Sequence, residues 1–124
     1  MPTAIVLGAS AKPERYSNMA VARFQAAGWE TIPVHPAGGT IYDLAVRTSL
    51  AECPAKPTVI SVYLGPKYLP AEIPAMVALE PEWVWLNPGA DSPAMVQACE
   101  EPGLKIAQVC SLVMLGHDDP LSML

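Results

Sequence analysis

Short apolar runs, separated by polar stretches rich in proline and glycine, set the rhythm of the chain. The first, Ala4-Ile5-Val6-Leu7, is stopped by Gly8. A run this short, holding β-branched residues and bounded by glycine, reads as a strand buried on both faces. From Ser17 to Ala27 the pattern predicts a helix with Met19, Val21, Ala22 and Phe24 apolar, and Gly28 stands where a C-terminal cap belongs. Thr31-Ile32-Pro33-Val34 follows as a second strand. Pro33 cannot donate to a ladder, so it marks that strand as an edge or an irregular one. Residues 36–57 are the least regular: Gly38-Gly39 turn the chain, Leu44 to Arg47 reads as a short third strand, and Ser49 to Glu52 as one helical turn. Thr58 to Leu64 is the clearest strand. Pro66 to Leu79 reads as helix, regular only beyond Pro74, because an interior proline removes a backbone bond. Trp83 to Leu86 is a further strand, ended by Asn87-Pro88-Gly89. Pro93 to Glu100 is a short helix with Ser92 as its N-cap, and Lys105 to Val109 closes the sheet.

Strands alternating with helices at this spacing imply βαβ units and a parallel sheet. Right-handed crossovers then put helices on both faces. The predicted fold is α/β: a three-layer, Rossmann-like, doubly wound parallel sheet of strand order 3-2-1-4-5-6, forming one domain over residues 1–124.

Composition narrows the function classes. Hydrophobic residues make up 52% of the chain and charged residues 15%, the opposite of a disordered sequence. No apolar run approaches the roughly 20 residues of a membrane span. The opening M-P-T-A-I-V-L-G-A-S lacks the basic region of a signal peptide. A net charge of −5 argues against nucleic acid as a partner. Cys53, Cys99 and Cys110 are odd in number and lack short paired spacing, so neither a disulfide framework nor a zinc site is expected, and a reducing cytoplasm is the simplest location.

In open α/β sheets ligands bind beyond the carboxyl ends of the strands, where outgoing and returning halves part. The loops at those ends are Gly8 to Asn18, His35 to Gly39, Gly65 to Tyr68, Asn87 to Ser92 and Cys110-Ser111, and they gather the small and polar residues on one rim. The loops at the amino ends look like plain connectors. In the first loop, Gly8 permits a tight turn and close approach of a ligand to the amides. Ser10, Ser17 and the free amides at the helix start can donate to phosphate, and Lys12 and Arg15 form the only local positive cluster. The dinucleotide fingerprint G-x-G-x-x-G is absent, since its second and third glycines are missing. His35 is read as a structural or stacking residue, Cys110 as a buried thiol, and Trp83 with Trp85 as core. His117, Asp118 and Asp119 are read as solvated, because adjacent residues on a tail converge poorly on a metal. No catalytic constellation and no metal site is expected. The apolar tail from Ser111 onward either contacts another subunit or folds back over the sheet edge.

Several of these segments carry a resemblance. G-A-S-x-x-P-x-R-x-S beginning at Gly8, V-H-P-A-G-G at Val34, S-L at Ser49 and W-L-N-P-G at Trp85 are similar to the small coenzyme A-binding protein family, stand-alone relatives of the domain found in succinyl-CoA synthetase α chains and acyl-CoA synthetases. The resemblance implies a Rossmann-like fold with CoA along the strand carboxyl ends. It implies that Gly8, Ala9, Ser10, Arg15 and Ser17, with Lys12 beside them, hold the phosphates. Val34, His35 and Pro36 would border the adenosine. Tyr63, Leu64, Gly65 and Pro66 would border the pyrophosphate or pantetheine, and Asn87, Pro88 and Gly89 would shape the far wall. Departures are Ala37, where the family commonly has a lysine before the paired glycines, and Gly65, where an arginine is usual. Of the family's D-R-C-x-K-x-E-H ending only Cys110 remains. The function this implies is binding of CoA or an acyl-CoA without catalysis of its own, with the apolar C-terminal tail as the surface for a homo-oligomer or a partner acyl-CoA enzyme. Two alternatives are a nicotinamide-dependent oxidoreductase, opposed by His35 and Pro36 where a ribose-binding acid belongs, and an interaction subunit with a vestigial nucleotide site.

Overall fold

The computed structural model describes all 124 residues. Five strands form one parallel sheet: β1 (Thr3–Leu7), β2 (Glu30–Val34), β5 (Val59–Val62), β6 (Trp83–Leu86) and β7 (Ile106–Gln108), in the order β2-β1-β5-β6-β7. The two shortest strands, β3 (Thr40–Ile41) and β4 (Leu44–Ala45), pair only with each other, antiparallel. Helices α1 (Tyr16–Ala26), α2 (Leu69–Leu79), α3 (Pro93–Glu100) and α4 (Ser111–Met114) complete the layers.

Both faces of the sheet are covered, which is why its strands are continuously apolar rather than alternating. On one face Ile5, Leu7, Ile60, Val62, Val84 and Leu86 meet Leu69, Ile73 and Met76 of α2 and Met95 and Cys99 of α3. On the other, Ala4, Val6, Val59 and Trp85 meet Ala20, Val21 and Phe24 of α1 and Met114 of α4. Trp85 is fully buried, its ring centroid 6.0 Å from Phe24 and 6.2 Å from Trp29. Trp85 is core, as expected; Trp83 is only half-buried, packing against the same cluster with the Lys105 ammonium 4.5 Å above its ring.

The α/β class and the doubly wound sheet agree with the pattern of the sequence. The strand order needs one correction. The expected third strand, Leu44 to Arg47, does not extend the sheet: Leu44 and Ala45 belong to the β3–β4 hairpin, and only a single bridge joins Arg47 to Val34. The cause is Pro33. Strand residues point their N–H and C=O to the same side, and the Pro33 carbonyl faces outward, accepting from the Arg47 amide. At that outward position proline offers no donor, so a third strand cannot ladder along β2. Helix α2 starts at Leu69, inside the expected Pro66 to Leu79, but it is regular from there and not only beyond Pro74. Pro70 occupies its first turn, where an N–H would have no helical partner, and Pro74 is tolerated inside.

The apolar tail folds back. Leu112, Leu115, Leu121 and Leu124 pack against the cluster around Trp85 and Met114, leaving Val113 and Met123 exposed. No helix is long and apolar enough to cross a membrane.

Candidate functional site

The order β2-β1-β5-β6 puts the switch point between β1 and β5, and the chain leaves β1 at Gly8. Two connected lobes open there. One, of about 480 Å³, lies against α2 and is lined by Leu7, Val34, Pro36, Leu64 and Ala71, with Thr48, Ser49, Lys67, Tyr68 and Glu72 among its polar members. The other, of about 450 Å³, lies against the start of α1 and is lined by Ser10, Lys12, Arg15, Tyr16, Ser17 and Tyr63. Gly8 and His35 line both and form the saddle between them.

Gly8 has φ +88, a conformation that L side chains rarely adopt, and a Cβ there would lie 2.9 Å from Leu64 Cδ2. Leu64 can therefore pack directly against the backbone at the saddle because no Cβ stands at Gly8. The amides of this turn are not free, however. Gly8 and Ala9 both donate to the Val34 carbonyl at 3.0 Å, which corrects the expectation that a ligand would meet them directly. The next amides are used as well: Ser10 donates to Ser17 Oγ at 3.1 Å, and Lys12 to Ser10 Oγ at 3.1 Å. Asn18 Nδ2 donates to the Ser10 carbonyl at 2.8 Å, and Asn18 Oδ1 accepts from the Tyr42 hydroxyl at the turn of the β3–β4 hairpin. The loop is thus tied to α1 and to the hairpin before any ligand arrives.

The donors left for an anion are the hydroxyl protons of Ser10 and Ser17, the exposed Lys12 and Arg15 side chains, and the start of α1. No side chain caps that helix start, and its first turn carries no acid. Within the helix itself nothing offsets the partial positive charge there.

His35 is exposed, but its geometry is fixed. Its amide donates to the Arg47 carbonyl at 2.9 Å, and its Nδ1 accepts from the Ala37 amide at 3.0 Å. A neutral ring so placed carries its proton on Nε2 and offers a donor.

Tyr63 closes the inner wall of the α1-side lobe. Its hydroxyl oxygen is buried without a hydrogen-bond partner. Burial pushes the phenol up to about 12 from 10.0; the Ser111 and Ser61 hydroxyls nearby pull it down by less, and Cys110 adds a further upward push.

The sequence-derived site residues separate into two groups. Gly8, Ser10, Lys12, Arg15, Ser17, Val34, His35, Pro36, Tyr63 and Leu64 come together around the two lobes. Ala9, Gly65, Pro66, Asn87, Pro88, Gly89 and Cys110 line neither. Ala9 is buried in the core, and Asn87 is buried as a structural clamp. The Asn87 Nδ2 donates to Ser61 Oγ at 3.0 Å and to the Val62 carbonyl at 2.9 Å, while its Oδ1 accepts from the Ser111 amide at 2.8 Å. Ser61 and Ser111 hydroxyls are 2.8 Å apart. This network joins the ends of β5, β6 and β7. Burial raises the Cys53 and Cys99 thiols above their ordinary value, against thiolate reactivity. No group of three or more His, Cys, Asp or Glu side chains could hold a metal ion.

Thr48, Ala71 and Glu72 lie outside the residues the sequence singled out. The β5 carboxyl-end loop pointed to Lys67 and Tyr68, but Ala71 and Glu72 lie one turn into α2, beyond where a loop rule looks.

A saddle of glycine between a cationic lobe and an aliphatic one suits an organic phosphate joined to a flat apolar group. The fold and cleft define a Rossmann-like ligand-binding domain. The chain belongs to the CoA binding domain family, whose model matches residues 3–116. It is similar to a protein from Thermus thermophilus of 27% sequence identity, with TM-score 0.81 over 92% of this chain and 90% of that one. A conserved hypothetical protein from Pyrococcus furiosus, 23% identical, superposes with TM-score 0.79 over 91% of this chain and 99% of its own. The dinucleotide-forming acetyl-coenzyme A synthetase 1 of Ca. Korarchaeum cryptofilum, 15% identical, superposes with TM-score 0.71 over 86% of this chain and 25% of its own. These last two likenesses show the fold. Among curated proteins none matches the sequence.

Proposed function

We propose that this protein binds CoA or an acyl-CoA across the two lobes and catalyses no reaction by itself. The observation that carries the reading is the uncapped start of α1 opening on a lobe lined by Ser10, Lys12, Arg15 and Ser17, in a chain whose net charge is −5. Phosphates belong in that lobe. Arg15 supplies a forked donor and Lys12 a mobile positive charge, and each adds to the helix dipole. The adenosine belongs in the α2-side lobe, where Leu7, Val34, Pro36 and Leu64 offer apolar walls. His35, with its donor fixed on Nε2, faces the ribose that crosses the saddle. From there the pantetheine runs along the carboxyl rim of the sheet. Family membership and the chemistry of the two linings support this reading together.

Calorimetric titration of ligand-stripped protein with CoA, dephospho-CoA and NAD tests it. Micromolar CoA binding with weak NAD is the expected result, and a preference for CoA over dephospho-CoA would mean that the 3′-phosphate is read. Folded protein that gives no heat with any of the three overturns the proposal.

A further inference from the structure

Of all the residues lining the two lobes, Glu72 alone carries a carboxylate. It is half-buried on the first turn of α2, on the far side of the saddle from Lys12 and Arg15. The other charged side chain in its lobe is Lys67, whose ammonium lies 5.3 Å from the Tyr68 ring centroid at the exposed mouth.

A carboxylate placed among Leu7, Val34, Leu64 and Ala71 does two things. Its charge offsets that of Lys67 in the same lobe, so this lobe holds no net positive charge for a phosphate, whereas Lys12 and Arg15 on the other side stand without an acid among the lining residues. It also accepts hydrogen bonds and donates none while ionised, so the group it welcomes must present N–H. A planar apolar ring bearing an exocyclic amine meets both conditions. We propose that Glu72 determines base specificity by accepting a hydrogen bond from the adenine 6-amino group of the bound nucleotide. This inference rests on the CoA-binding reading and deepens it.

An analogue in which hypoxanthine replaces adenine puts a carbonyl oxygen where the amine was, leaving two acceptors facing each other. Hydrogen bonds to charged groups are strong enough that wild-type protein is expected to favour CoA over the analogue by about 10- to 100-fold. In Glu72→Gln the side-chain amide can turn to donate or accept, and the preference is expected to collapse to within about threefold. Calorimetry on the intact chain with both ligands, for wild type, E72Q and R15A, reads the result.

Wild type that binds CoA and the analogue equally overturns the role of Glu72 while leaving the CoA reading intact. Because this comparison needs no variant, it stands even if E72Q fails to fold. E72Q that keeps the full preference also overturns it. Wild type that binds neither ligand overturns the CoA reading and this inference together. R15A is expected to weaken both ligands alike, which separates a phosphate contact from a base contact.

Discussion

Replacing Gly8 by alanine probes the saddle directly, and Gly28 provides an internal control. Both glycines have positive φ, +88 and +85, so alanine at either pays a similar backbone cost of roughly 1–2 kcal/mol. Their surroundings differ. A Cβ on Gly28 meets nothing within 4 Å. A Cβ on Gly8 would lie 2.9 Å from Leu64 Cδ2, 3.3 Å from its Cγ and 3.4 Å from the Tyr63 carbonyl carbon. The last is ordinary contact, so the strain falls on Leu64, whose side chain has to rotate or push into the α2-side lobe. Overpacking of this kind costs about 1–3 kcal/mol. Gly28→Ala is therefore expected to destabilise by roughly 1–2 kcal/mol, and Gly8→Ala by about 2–5 kcal/mol. For a domain of this size that difference corresponds to a Tm lower by roughly 3–15 °C in Gly8→Ala than in Gly28→Ala. Thermal unfolding followed by tryptophan fluorescence and by circular dichroism measures both variants. Equal melting temperatures would refute the argument, because they would mean that Leu64 yields at no cost and that its place against residue 8 does not depend on glycine.

Asn87→Ala is expected to cost about 2–4 kcal/mol in urea unfolding, because it strips the Ser111 amide and the Ser61 hydroxyl of partners in a buried network. Tyr63 links stability to alkaline pH. Its phenol titrates near 12 in the folded chain and near 10.0 when unfolded, so the folded state holds the proton more tightly; stability is whole below about pH 10 and is lost as pH rises toward 12. Tyr63→Phe, which removes a buried hydroxyl without a partner, is expected to shrink that alkaline loss and to leave stability at neutral pH unchanged or higher; a urea midpoint series against pH compares the two proteins. Arg15→Ala is expected to leave Tm unchanged, since the side chain is exposed, and to weaken CoA about tenfold or more by calorimetry.

What the sequence made legible is local. Ala4 to Leu7, Val59 to Val62 and Trp83 to Leu86 are continuous apolar runs between breakers, and such runs have few homes other than the middle of a covered sheet. The first loop was legible too, because Gly8, Ser10, Lys12, Arg15 and Ser17 lie within one βα connection whose position at the switch point follows from topology. Three features were not. Leu44 to Arg47 has the composition of a strand, yet whether it joins the sheet depends on which side of β2 Pro33 faces, a matter of register. Asn87 in an N-P-G turn looks like a site residue, and its true partners, Ser61 and Ser111, are 26 and 24 residues away in sequence. Glu72 lines the cleft from a turn of α2 that is regular ahead of Pro74, where the interior proline argued for an irregular stretch.

The outward side of β2 has a consequence for behaviour at high concentration. Exposed strand edges invite pairing with other chains, and proteins that stay dispersed have to blunt them. Along this edge Thr31 keeps its N–H, Pro33 has none to give, and the His35 N–H is already taken by the Arg47 carbonyl. An incoming strand would find one usable donor where a ladder needs a regular row. At the opposite edge, β7 is three residues long. A sheet so short of template at both ends resists fibrillar growth, so the chain can keep a hydrophobic fraction of 52% without offering its strands to its neighbours.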